Sequence, residues 1–269
     1  MTAAATPGRL PPAVWCGLAA FAAALGLAVV DLRLAVVPLV LFVLTCLTAP
    51  FLPWLGFFLP VVSRGATGRP QVALTFDDGP DPDTTPALLH FLAGQGITAT
   101  FFVTGWKVET YPDLVRDILS AGHSIGNHTY RHSFTALLRG PQLLHREVAR
   151  VQEALAAFDI RPLAFRPAAG ITTPGLGRVL SHLGLYAVTF RFRAWDGGNR
   201  RLRHLAHRTL KQVRGDDILM LHDLKPTRKG GVATWLGEVK QIVAGLKSKG
   251  LTIVPLEELI GRPVMERQT

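Results

Sequence analysis

Two adjacent carboxylates, Asp77 and Asp78, follow the apolar run 71–76 and precede Gly79-Pro80. The run reads as a short buried strand, and Gly-Pro as the turn that ends it. Like charges side by side where water is scarce resist joint ionisation. A divalent cation removes the conflict, because it neutralises one carboxylate and leaves the other free as a base. Further along the chain His128 and His132 stand at i and i+4, a spacing that puts two imidazoles on one face of a helical turn. One carboxylate and two imidazoles suit a catalytic zinc ion with a position left open. Cobalt and other divalent ions tolerate the same ligands. Asp-Asp-Gly-Pro alone is also an ordinary solvated turn, so it is the combination of signals that points to chemistry.

Three more motifs each close an apolar run with a charged or titratable group: Phe165-Arg166-Pro167-Ala168-Ala169-Gly170, Ala194-Trp195-Asp196-Gly197 and Ile218-Leu219-Met220-Leu221-His222-Asp223. Taken in order, the five motifs resemble those of the polysaccharide deacetylase family, the NodB-type carbohydrate esterases, over residues 70–256. The resemblance implies Asp77 as general base and Asp78, His128 and His132 as ligands of a divalent metal, zinc first. It implies that Arg166 holds Asp77 through a charge-assisted hydrogen bond. His222 would protonate the leaving amine, with Asp196 tuning its pKa, and Leu221 would line the pocket for the acetyl methyl. Ala169 stands where the family carries an aromatic side chain, but its backbone N–H, the expected oxyanion donor, survives that change. Trp195-Asp196 reverses the family's usual Asp-Trp order, and Trp195 would form a wall of the substrate groove.

The implied reaction is metal-dependent hydrolysis of the N-acetyl group of an amino sugar, in a polysaccharide or a lipid-linked glycan, releasing acetate. Deformylation or deacetylation of a lipid-linked amino sugar at the membrane surface is one alternative. A non-catalytic sugar-binding relative is another, opposed by the presence of all five working side chains. A metal phosphoesterase would want carboxylate or His ligands for a second ion, and the sequence offers none.

Strand patterns at 71–76, 98–103, 123–127, 162–167, 185–191, 217–222 and 251–256 alternate with helical ones at 85–94, 111–121, 141–158, 174–183, 201–213 and 230–249. Seven βα units predict a distorted TIM-like (β/α)7 barrel over 71–260, with every motif at the C-terminal end of a strand or just beyond it. An open doubly wound sheet would need a phosphate-binding Gly fingerprint after the first strand, and there is none. His123, at the start of a strand, is expected to support the site from behind.

Residues 1–62 read as a membrane anchor and 63–70 as a hinge. Stretches 13–30 and 34–62 lack charge and are separated by Asp31-Leu32-Arg33. An 18-residue helix spans about 27 Å, close to one hydrocarbon core. A transmembrane hairpin near 13–30 and 34–50 follows, with Trp54, Phe57 and Phe58 in an interfacial segment. A cleaved signal peptide is disfavoured because Arg9 is the only early basic residue and a second apolar run follows at once. The expected setting is the inner membrane, multi-pass. Arg9, Arg64 and Arg69 would place the barrel in the cytoplasm by the positive-inside tendency, whereas the resemblance implies glycans outside. Cys16 and Cys46 both fall in the apolar stretches, which leaves the barrel without a disulfide or a thiolate site.

Net charge is +10, and 191–214 holds eight Arg or Lys against Asp196 alone. No aromatic-interleaved basic motif accompanies that cluster, so nucleic acid is not the expected partner. Anionic membrane lipid or a phosphate-bearing substrate is.

Overall fold

The computed structural model describes residues 10–132, 140–227 and 231–268; Arg9, weighed above for orientation, lies outside them. Its strands are β1 (Val61–Val62), β2 (Gln71–Asp77), β3 (Thr100–Val103), β4 (Ser124–Asn127), β5 (Ile160–Pro162), β6 (Ala164–Phe165), β7 (Tyr186–Val188), β8 (Ile218–His222), β9 (Thr252–Ile253) and β10 (Met265–Arg267). Parallel pairing runs in the order β1-β7-β6-β4-β3-β2-β8, and β9 also pairs with β2. The sheet curls on itself, and an antiparallel bridge between Arg64 and Asp217 joins its two edges. Helices α3 (Thr85–Gln95), α5 (Pro112–Ser120), α6 (Pro141–Ala156), α7 (Leu176–His182), α8 (Leu205–Gln212) and α9 (Gly231–Ser248) follow β2, β3, β4, β6, β7 and β8, with two shorter helices at α4 (Gly105–Thr110) and α10 (Leu256–Ile260). This is the (β/α)7 barrel the alternation predicts.

Why the strands are strands is plain from burial. Six of the seven residues of β2 are buried, as a parallel strand covered on both faces requires. On the outer face, Leu74, Phe76, Leu219 and Leu221 pack with Trp235, Val239, Ile242, Val243 and Leu246 of α9. Those α9 positions form one stripe at helical period. On the inner face, Ala73, Phe102, Ala164, Val188 and Ile218 fill the barrel.

Two expectations change. The strand expected at 251–256 shortens to Thr252–Ile253, because Leu256 already opens α10. The expected hinge at 63–70 is tied down: Gly65 N–H donates to Asp216 O (2.7 Å), and the Asp216 carboxylate accepts from Thr67 Oγ1 (2.6 Å) and Gly68 N–H (3.0 Å). Just before it, Val61-Val62 pairs with Ala187-Val188 as an extra sheet strand.

The amino-terminal helices α1 (Pro12–Ala28) and α2 (Leu32–Thr48) fold back on each other, with the Asp31 side chain accepting from Arg33 N–H at 2.8 Å to cap α2. The helical stretch Leu32–Phe51 is long and apolar enough to cross a membrane; Pro12–Ala28 is shorter. Phe57, Phe58 and Leu59 beyond them are buried in one cluster with Phe165, Ala168 and Leu176 of the barrel.

Candidate active site

Strand register brings the two ends of the chemistry together. Asp77 closes β2, and His222 stands opposite it on the neighbouring strand β8. Asp77 is buried, and its Oδ1 accepts from Arg166 Nη1 at 2.7 Å. Arg166 is fully buried, stacked 4.0 Å from the Phe102 ring, and Nη1 also donates to Thr75 Oγ1 at 2.6 Å. A buried guanidinium is costly unless paired; here one fork fixes the carboxylate's orientation.

Asp78 follows with a positive φ of 71°, which turns its side chain toward the two imidazoles. Its Oδ1 lies 3.4 Å from His128 Nε2 and 3.3 Å from His132 Nε2, and Oδ2 lies 4.0 Å from His222 Nε2. His128 Nδ1 is 2.7 Å from the Arg166 carbonyl. A carbonyl only accepts, so the proton sits on Nδ1 and Nε2 is left as a free donor atom for a metal. The i,i+4 spacing does not act through a helix here. Residues 128–132 form an irregular loop in which Thr129 and His132 have φ of 66° and 52°, and the rings end 4.8 Å apart. Asn127 Oδ1 accepts from Thr129 N–H (3.1 Å), and Thr129 Oγ1 accepts from His132 N–H (3.2 Å), which sets the loop.

Donor chemistry tests whether a metal fits. Asp78 Oδ1 is buried without a hydrogen-bond donor, an arrangement that costs free energy unless a cation satisfies it. Ligand atoms about 2.0–2.1 Å from a tetrahedral zinc lie about 3.3 Å apart, close to the two separations found. Burial alone would raise the Asp78 pKa, but the imidazoles, His128 foremost, hold it well below the usual carboxylate range. Burial and the neighbouring His128 push His132 down to about 4, so its imidazole is neutral, the form in which it could bind a metal. For His128 burial opposes charge, yet Asp77 and Asp78 raise its pKa. The cluster is built for positive charge.

On the other side, His222 Nδ1 meets the buried Asp196 Oδ2 at 2.7 Å. Burial would lower its pKa; the Asp196 carboxylate, helped by Asp78 and Asp77, lifts it to about 9 instead. A metal held by Asp78 would cancel that carboxylate's share and leave Asp196 as the sustaining partner. Trp195, just before, is 63% exposed with φ 56°, a backbone that costs a bulky residue about 1–3 kcal/mol. Ala169 also takes a left-handed φ, 50°, in the short turn Ala168–Gly170 beyond β6.

Two expectations fail. Leu221 does not face the site. It points outward into the helix-packed core beside Phe76, and the period of two places Met220 on the face of His222. His123 precedes β4, at the opposite end from the site, where its Nδ1 accepts from Ala99 N–H at 3.2 Å. Sequence reasoning also missed a supporting carboxylate. Asp223 is fully buried, accepts from Thr84 Oγ1 (2.6 Å) and from Thr85 Oγ1, and donates its N–H to Asp77 O at 2.8 Å. Burial pushes Asp223 up to about 6, against those two hydroxyls. A Cβ on Gly79 would lie 2.6 Å from Asp223 Oδ2, which is why glycine follows the acid pair. The adjacency His222-Asp223 was the available signal.

A parallel barrel that gathers Asp77, His222 and a cluster of Asp78, His128 and His132 able to hold a metal ion has the residue types of a hydrolase site. The family model for polysaccharide deacetylase matches residues 64–188. A peptidoglycan-N-acetylglucosamine deacetylase of Bacillus cereus is 31% identical over 194 residues, covering 70% of this chain and 87% of that protein. The solved chitin deacetylase of Colletotrichum lindemuthianum superposes with a TM-score of 0.67 at 26% identity, over 76% of this chain and 92% of that one. The chain belongs to the polysaccharide deacetylase family. A pseudoenzyme of the same carbohydrate esterase family from Bacillus anthracis shares the fold at 18% identity, with a TM-score of 0.66 over 74% of this chain and 68% of that one. Fold alone therefore does not carry turnover; the side chains must.

Proposed function

We propose that this protein is a membrane-anchored hydrolase that removes the N-acetyl group from an amino sugar of a glycan, using one divalent metal, zinc first. The observation that carries the reading is the neighbouring pair Asp77 and His222 flanking the Asp78–His128–His132 cluster. Asp78, His128 and His132 would hold the metal. When bound, it supplies Lewis-acid polarisation of the amide carbonyl and of a water molecule. Asp77, held by Arg166, takes the proton of the attacking water as the C–O bond forms. The Ala169 N–H donates to the oxygen on which negative charge develops. His222 Nε2 gives its proton to the sugar nitrogen as the C–N bond breaks, and acetate and a free amine leave. Asp196 keeps the proton of Nδ1 in place so that Nε2 faces the reaction. Met220, on the same face of β8 as His222, would meet the acyl methyl in place of Leu221. The apolar surfaces of α1 and α2, exposed over Trp15, Phe21, Leu25, Val36, Leu41 and Leu44, support a two-helix membrane anchor.

The test is acetate and formate release across a panel of N-acylated glycans, with metal-stripped protein as control. Acetate release that disappears on stripping and returns with zinc is the expected result. Formate in place of acetate reassigns the acyl group, and phosphate release from a phosphate ester would sink the reading.

The imidazolium of His222 must be intact to act as acid, so kcat/KM should fall as pH rises through about 9 or somewhat below. Asp196→Asn removes the main charge that raises this pKa. Its basic limb should move downward by about one to three pH units. A limb that stays put in the kcat/KM profile would leave Asp196 a structural role only.

A further inference from the structure

The amino-terminal anchor is not tethered to the barrel at a distance; it is part of the wall beside the site. Pro53 O accepts from Thr189 Oγ1 at 2.7 Å. A Cβ on Gly170 would lie 2.9 Å from Pro53 Cβ and 2.9 Å from the Phe190 ring. Gly170 follows Ala169, where a small side chain replaces the aromatic expected by resemblance, so the anchor segment packs where the third motif is thin. Phe51, Trp54 and Leu55 flank Pro53 and are exposed. With α1 and α2 in a bilayer, this flank of the groove lies at headgroup depth, where tryptophan is favoured.

A second observation sits on the same wall. The Phe190 ring has two guanidinium neighbours, Arg166 at 5.8 Å and Arg193 at 5.6 Å. Arg166 is spent on Asp77. Arg193 lies 5.9 Å from the exposed Trp195 ring and, among the described residues, pairs with no carboxylate. Arg191, two residues earlier, is by contrast neutralised by Asp217 at 2.7 Å. Half-buried, its pKa is pushed down by desolvation. A guanidinium between two rings with its fork free is suited to a phosphate, which it binds bidentately.

We infer that the site takes its amino sugar from a membrane-embedded lipid carrier, with Arg193 receiving the phosphate that joins sugar to lipid at the groove wall built by Pro53 and its neighbours. This rests on the deacetylase reading and names its substrate class. A phosphate of bulk lipid offers the same chemistry, so the test must separate the two sources.

Full-length zinc-loaded protein in nanodiscs is assayed for acetate release from three substrates: N-acetylglucosaminyl phosphate on a long alkyl chain, the same sugar on the same chain without phosphate, and a soluble chito-oligomer. The phosphate-linked lipid should be preferred over each of the others by at least about tenfold in kcat/KM, the size of one charge-assisted contact. Arg193→Gln should bring the ratio of phosphate-linked to phosphate-free lipid close to one, and Arg193→Lys should keep part of it. The wild-type ratio should be the same in zwitterionic and anionic nanodiscs. An unchanged ratio in Arg193→Gln overturns the inference, as does a preference that follows bulk lipid charge. Equal or better turnover of the soluble oligomer overturns it while leaving the deacetylase reading standing. No acetate from any of the three overturns both. The wild-type comparisons decide the matter even if Arg193→Gln fails to fold.

Discussion

Asp77→Asn is expected to lower kcat by about 10²–10⁴-fold while the protein stays folded and keeps its metal. An amide cannot accept the water proton. The choice of Asn over Ala matters energetically. Arg166 is fully buried and donates to Asp77 Oδ1 at 2.7 Å. Removing one partner of such a pair costs about 3–5 kcal/mol because a charge is left uncompensated. Asn keeps an oxygen for Arg166 Nη1, and Thr75 Oγ1 and Thr189 O also receive its donors. The loss should therefore appear in kcat and kcat/KM alike, with little change in KM. The checks are steady-state kinetics beside metal content and thermal unfolding. Activity within a few-fold of the parent would remove Asp77 from the base role.

How much of this was legible depended on whether the signal was local. The strand β2 and its acid pair are a contiguous pattern, and the helix stripe of α9 is periodic, so both could be read directly. Leu221 follows from the strand period of two: it turns to the face of β8 away from His222, and Met220 shares the face of His222. The 128–132 segment shows a different limit. Spacing alone suggested a helical turn, but the left-handed Thr129 and His132 and the Asn127 side chain that holds the loop are set by tertiary packing. Val61-Val62 is only two residues and gains its partner from Ala187-Val188 far along the chain, so no local pattern marks it. Asp223 hid behind His222; its value lies in Thr84 and Thr85, which belong to the first turn of another element.

The metal cluster should come apart unequally. His132 is the more accessible imidazole, with 27% of its side chain exposed, against 2% for His128. His132→Ala therefore removes a ligand at small packing cost, and the barrel should remain folded. His128→Ala removes the same kind of ligand and also the partner of the Arg166 carbonyl, at the wall that orients Asp77. Both variants should lose bound zinc, measured by equilibrium dialysis, to more than the 10–100-fold typical when only a supporting group is lost. Both should be close to inactive at zinc concentrations that saturate the parent. Excess zinc should rescue His132→Ala further than His128→Ala, because only the latter also disturbs Arg166. Full zinc occupancy in either variant would strike that imidazole from the ligand set. Equal rescue of the two would separate the His128–Arg166 contact from catalysis. The asymmetry follows from where the rings sit: 27% of the His132 side chain is exposed at the rim, whereas the buried His128 ring also meets the carbonyl of Arg166, whose guanidinium holds Asp77.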